Sequence, residues 1–221
     1  MTFAEIQAYF LSFHPQAFPD FIDETSELPL YLRMVNNQIA AYPHKFSWLL
    51  REYSLTLTGA SSYNLGTLIP DLAQVYKPYG TGFAGNEPRY QSLADFNINV
   101  GGNTITMQGK TLKIQGSISS GTLVIPYYSN YLVVDTLGVT RKMNFTATTD
   151  ISLVPDEHIP MLIEGVEEYI ARKDKQSSYT RAYQLADGRI ANVTPFLFLI
   201  QQAALTDIPM SVIVRDWRFG T

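Results

Sequence analysis

Six residues, Gly80-Thr81-Gly82-Phe83-Ala84-Gly85, fit the pattern G-x-G-x-x-G letter for letter. In a dinucleotide fold these glycines let the backbone approach a pyrophosphate, and the last opens a helix whose N-terminus holds it. Here Asn86-Glu87-Pro88 follows, and Pro88 obstructs such a helix. No parallel βαβ pattern surrounds the motif, and no acidic residue stands ~20 residues on to bind a ribose. The segment reads as a glycine-rich loop, and no cofactor is expected. The three histidines, His14, His44 and His158, lie beside or near prolines. No two have the i, i+4 spacing that sets a pair of imidazoles on one helix face, so no metal is expected. Carboxylates pair at Asp20 with Asp23 and at Glu164 with Glu168. Such pairs do acid–base work when burial separates their pKa values. Glu164 and Glu168 fall away from the apolar stripe of their segment and read as a solvated helix face.

There is no Cys, which excludes disulfides, thiolate metal sites and a cysteine nucleophile. No Gly-x-Ser-x-Gly elbow and no Gly-Lys-Ser/Thr phosphate loop occurs. With no constellation to carry a reaction, the chain is not expected to be an enzyme. Basic residues cluster at Arg141-Lys142, at Arg172-Lys173 with Lys175, and at Arg215 with Arg218. Exposed charges are cheap, so each reads first as ordinary surface, although a ring of copies would multiply any of them into a belt. The net charge of −4 leaves no polybasic footprint for tight nucleic-acid binding. Charged residues make up only 16% of the chain, below the ~25% of an ordinary soluble domain. A surface so poor in charge suggests cover by partners, and the 14 Tyr and 12 Phe suit both strands and interfaces.

The elements that must position these residues run helical, then β, then helical. Thr2-Phe3-Ala4-Glu5 has capping-box spacing, and Ile6, Phe10 and Phe13 make a short stripe that ends at His14-Pro15. Residues 15–28 read as an acidic loop. A second helix is expected from about Pro29 to Ala41, with Leu32, Val35 and Ile39 on one face. Period-2 alternation begins at Tyr53, Leu55 and Leu57 and continues through Tyr63 and Leu65. Asp71–Lys77 reads as a strand and 78–88 as a loop. A hairpin is expected where Phe96, Ile98 and Val100 meet Ile105 and Met107 across Gly101-Gly102-Asn103. Leu112 and Ile114, then Thr122–Tyr128, add further strands at the spacing of a sandwich or small barrel. Residues 129–150 read as a long return segment. Beyond Pro155 the period is helical through Lys175, with Glu168 and Arg172 four apart and cations in the last turn. A further helix is expected over Ser178–Ala186, ending at Asp187-Gly188. Thr194-Pro195 then reads as an N-cap followed by Pro at N1, opening an apolar helix that Pro209 stops.

The predicted fold class is α+β, a helical bundle with an inserted antiparallel β-sandwich or small barrel. Its expected parts are residues 1–52 (helical), 53–150 (β), 151–209 (helical) and 210–221 (a C-terminal arm). The arm is apolar, with Val212, Val214, Trp217 and Phe219, whereas most chain ends are polar and frayed unless tied down. With Arg215 and Arg218 it has interface-type composition and is the expected docking segment. No apolar run approaches ~18 residues and no basic stretch precedes an apolar core at the start, so neither a membrane span nor a leader is expected. Synthesis and folding in a cytoplasm are expected.

The order of features resembles the phage head-to-tail connector (adaptor, neck) family, which includes the tubular tail protein of short-tailed phages. The resemblance spans roughly residues 30–185. It is carried by Val35-Asn36-Asn37-Gln38-Ile39, Phe46-Ser47-Trp48-Leu49, Tyr53–Thr58, Tyr63-Asn64-Leu65 and Pro70-Asp71-Leu72 leading to Val75-Tyr76. Phe96-Asn97-Ile98, Ile105-Thr106-Met107, Leu123-Val124-Ile125-Pro126-Tyr127-Tyr128 and Ile159–Val166 complete it. These are packing and turn signals rather than catalytic letters. The resemblance implies a ring, typically of twelve subunits, docked under a portal protein. It implies a downstream tail or nozzle protein as a further partner and genomic DNA passing non-specifically through the lumen. The place would be the virion neck, reached from the host cytoplasm during assembly. In such a ring, Glu164, Glu168, Arg172, Lys173 and Lys175 are candidates for lumen or intersubunit charges. The alternative is a carbohydrate- or receptor-binding β module of a virion or cell surface, whose exposed aromatics would come from the Tyr-rich strands.

Overall fold

The computed structural model describes residues 1–13, 27–43, 45–81, 89–93, 96, 102–116, 120–173, 180–184 and 189–207. The chain is mixed α+β. In order it forms α1 (Phe3–Phe13), α2 (Glu27–Ala41), a 3₁₀ turn (Ser47–Leu49), β1 (Leu50–Thr56), β2 (Ser62–Asn64), α3 (Leu65–Leu68), β3 (Leu72–Val75) and β4 (Tyr79–Thr81). There follow β5 (Arg89–Tyr90), β6 (Thr104–Gln108), β7 (Thr111–Gln115), β8 (Thr122–Ser129), β9 (Val133–Val134), β10 (Arg141–Lys142) and β11 (Ile151–Ser152). The last elements are a second 3₁₀ turn (Asp156–His158), α4 (Ile159–Lys173), β12 (Arg181–Gln184), β13 (Ile190–Val193) and α5 (Pro195–Thr206). Two compact units result. One joins residues 1–49 to those from Asn130 onward, and the other is the intervening 50–129. Residues 130–150, read from the sequence with the β segment, fall in the first unit.

In the 50–129 unit, β8 is the organising strand. Its alternating Leu123, Ile125 and Tyr127 are buried, and β1 pairs with it antiparallel, setting Tyr53 opposite Ile125 and Leu55 opposite Leu123. The other edge of β8 takes β3 at one end and β4 at the other. Pro126 has no N–H for a ladder, and it lies opposite the gap between β3 and β4, where Tyr76 N donates to its carbonyl at 2.8 Å. The second sheet runs β2-β7-β6-β5. Gly109, at φ +58, supplies the left-handed residue of the two-residue turn joining β6 to β7. Side chains from both sheets share one core, including Leu55, Leu65, Leu72, Ile105, Leu112 and Ile125.

Several expectations are corrected in this unit. Phe96 N donates to Ser92 O at 2.9 Å, a helical turn rather than a strand. β6 pairs with β7 on one edge and, at Thr104 and Ile105, with β5 in parallel on the other; residues 97–101 of the expected hairpin lie outside the described residues. Within the expected loop at 78–88, residues 79–81 form β4, because β8 extends past β3 and offers them a free edge. Leu65 leaves its strand pattern to open α3, where it is fully buried.

In the first unit, the capping box is formed: Thr2 N donates to Glu5 Oε2 at 2.7 Å and Glu5 N to Thr2 Oγ1 at 3.3 Å. Phe3 stacks on Phe145 with centroids 4.9 Å apart. α2 buries Leu28, Tyr31, Leu32, Val35 and Ile39 at helical spacing. α5 starts as its sequence dictates, with Leu197 N donating to the Thr194 hydroxyl at 3.2 Å and Pro195 in the first turn. The expected helix over 178–186 is overturned. Residues 181–184 are β12, paired antiparallel with β13 from Arg181 opposite Val193 to Gln184 opposite Ile190. Asp-Gly, taken as a helix stop, is equally the chemistry of a hairpin turn.

Candidate functional site

α4 carries the charges singled out in the sequence. Its buried residues include Ile159, Met161, Leu162, Ile163, Val166 and Ala171. Gly165 lets α2 and α5 close on it. A β-carbon there would stand 2.8 Å from both methyls of Val35 and 3.0 Å from Phe196 Cδ2. One turn on, Gln38 Nε2 of α2 donates to the Tyr169 hydroxyl at 2.6 Å, a polar bond across the same helix pair. Burial pushes the Tyr169 phenol up, the Arg172 guanidinium works against that, and the Glu168 carboxylate adds to it.

Glu168 is only 5% exposed, which corrects the reading of a solvated face. The wide packing surface of α4 encloses it, and Arg172, one turn along, pairs with its Oε1. The Arg172 guanidinium also stands 5.9 Å from the Tyr169 ring centroid. Oε2 of Glu168 and both amide atoms of Asn36 on α2 are buried without hydrogen-bond partners. Glu164 is half-buried. Lys173 is the last residue of α4, and Lys175 lies outside the described residues. The structure thus joins Gln38, Glu168, Tyr169 and Arg172 along the helix pair. The bond from Gln38 to the Tyr169 phenol ties α2 to α4, while the Glu168–Arg172 pair lies within α4 itself.

The other carboxylates buried among the described residues, Asp150 and Asp71, each tie one segment to another. Lys142, read as surface charge, donates to Asp150 Oδ1 at 2.7 Å. Thr146 N and Ala147 N donate to Asp150 Oδ2 at 2.7 and 3.0 Å, which folds the loop before β11. Asp71 accepts from Ser129 Oγ at 2.5 Å and from the Tyr127 hydroxyl at 3.3 Å, tying the start of β3 to β8. Sequence spacing could not find these bonds, since Asp71 and Tyr127 stand far apart in the chain. Asp207, at the end of α5, accepts from Ser47 N at 2.8 Å and from the Ser47 hydroxyl.

Gly80 and Thr81 of the glycine motif lie in β4, opposite Leu123 and Thr122, and open no helix; residues 82–85 lie outside the described residues. His158 ends the second 3₁₀ turn, while His14, His44, Asp20 and Asp23 lie outside. So do the docking candidates Val212, Val214, Arg215, Trp217, Arg218 and Phe219. Among the described residues, no three His, Asp or Glu gather to hold a metal ion, and no helix is long and apolar enough to cross a membrane. Compared with models of known protein families and with curated protein sequences, the chain matches none.

Proposed function

We propose that this chain is a structural subunit of a virus particle, a head-to-tail adaptor that closes a ring under a portal protein. On this reading its fold is a helical bundle with an inserted antiparallel β-sandwich, and it performs no reaction. Its partners are other copies, in a ring of twelve, then the portal above and a tail or nozzle protein below. Genomic DNA passes through the lumen without sequence-specific contact. The segment 210–221 is the docking arm.

One observation above all supports the reading. The 50–129 unit, built on two sheets, interrupts a unit whose described elements are mostly helical, in the order the resemblance requires. A connector needs faces that close a ring, and a head-to-tail contact that fails to close makes a filament instead. The buried carboxylates of Asp71 and Asp150 fit such a job, because each joins one segment of the subunit to another.

The test is the particle mass of the purified protein, alone and mixed with portal rings, by light scattering and electron microscopy. A ring on the portal is the expected result. A chain that ignores portal and other neck proteins overturns the reading, and binding of glycans by the monomer would then favour a receptor-binding module.

A further inference from the structure

α4 packs on both α2 and α5, and the two contacts differ in kind. α5 brings Phe196, Ile200 and Ala203. Among the described residues it buries no polar side-chain atom without a partner. α2 instead buries Asn36, at 3% exposure. Four residues after Leu32 and three before Ile39, Asn36 belongs to the buried stripe of its helix. Glu168, 5% exposed, stands three residues after Gly165 and seven after Met161, on the buried side of α4. Nδ2 and Oδ1 of Asn36 and Oε2 of Glu168 are buried with no hydrogen-bond partner.

The register of the helix pair places these atoms together along its length. Val35 sits against Gly165, and Gln38 donates to Tyr169. Both helices therefore advance in the same sense, and Asn36 and Glu168 fall within one turn of each other along the pair. A buried Asn between helices can serve to fix register at a cost in stability. Here the space at Gly165 and the Gln38–Tyr169 bond already fix it. An apolar residue at position 36 would pack without leaving amide atoms unsatisfied. What Asn36 adds is a contact that water can compete for.

We infer that α2 is a releasable helix, which parts from α4 in a local opening while α4 and α5 stay packed. Opening returns the Asn36 amide and Glu168 Oε2 to water, and each group shifts the equilibrium toward the open form by on the order of tenfold. Elements that move in assembly or regulation are drawn from the less stable parts of a fold. The seam makes α2 such an element and leaves α5 out of it. The inference goes beyond the connector reading and does not depend on it.

A released helix of 15 residues is marginal in water, so its amides exchange once it parts. Hydrogen–deuterium exchange of the full chain, read by mass spectrometry on peptides from α2, α5 and β8, tests the opening. In the wild type, α2 is expected to exchange about tenfold faster than α5 and β8. Asn36→Leu is expected to slow α2 about tenfold and to leave α5 and β8 nearly unchanged. Asn37→Leu is the control: it makes the same change in helix propensity one residue on, at an exposed position, and is expected to leave α2 nearly as fast as the wild type. Where leucine overfills the site, Asn36→Ala compared with Asn37→Ala gives the same reading with a smaller side chain. Exchange of α2 in step with α5 and β8 in the wild type overturns the inference, because the unit then opens only as a whole. Equal slowing by the two leucine variants also overturns it, since propensity alone would explain the effect. Faster exchange in both Asn36→Leu and Asn36→Ala overturns it as well, because the amide is then satisfied within the closed pair.

Discussion

Asp150 accepts from Lys142 Nζ, from Thr146 N and Oγ1, and from Ala147 N. Burial alone would raise its pKa, but the Lys142 ammonium and the loop donors outweigh burial and hold the carboxyl below its ordinary value. A depressed folded-state pKa stabilises fully above the unfolded value of ~3.9 and is lost as pH falls through the folded value beneath it. Asp150→Asn keeps one acceptor oxygen for the loop amides and loses the charge facing Lys142. It should cost about 1–3 kcal/mol at neutral pH. Urea unfolding should show the gap to wild type widest near pH 7 and shrinking as pH falls below about 4. A gap unchanged across that range would refute the charge-based account. The residue's role was not legible in the sequence, because Lys142 read as ordinary surface charge and nothing in the return segment over 129–150 marked Asp150 as its partner.

At the scale of elements, the contact of α2, α4 and α5 turns on Gly165. Gly165→Ala places a methyl within 2.8 Å of both Val35 methyls, inside a packed core. Overpacking of this kind costs about 1–3 kcal/mol. Combining it with Val35→Ala should recover part of the loss, because the two side chains contest one space; denaturant midpoints of the four-way cycle measure this. Strict additivity would mean that the helices already shift to admit the methyl. The helices themselves were legible: the Thr2–Glu5 box, the stripe of α2 and the Thr194-Pro195 start are local patterns, and each is formed. The 181–184 segment was misread because its four residues carry no decisive period. Pairing with β13, not propensity, makes it a strand.

For the whole molecule, the bond between Asp207 and Ser47 fixes where α5 ends against the turn that precedes β1. A chain stopped after Asp207 keeps that bond and loses the proposed docking arm. The shortened chain should unfold at the wild-type Tm and fail to sediment with portal rings. Global unfolding would instead make the arm part of the subunit's own fold, and unchanged sedimentation would move the docking surface elsewhere.

The amino-acid sequence by itself determined the mixed α+β class, the places where α1, α4 and α5 begin, and most of the strands between Leu50 and Ser129. It did so because caps, turns and amphipathic periods are bonds and burials among residues close in the chain. Only the tertiary structure decided which strands pair, that β6 lies between β7 and a parallel β5, and that residues 181–184 extend. It also decided that Glu168 lies in the packing surface with Arg172 as counter-charge, although its sequence position points to solvent. Strand pairing and burial depend on partners many residues away, and their free energy appears only when the chain has brought those partners together.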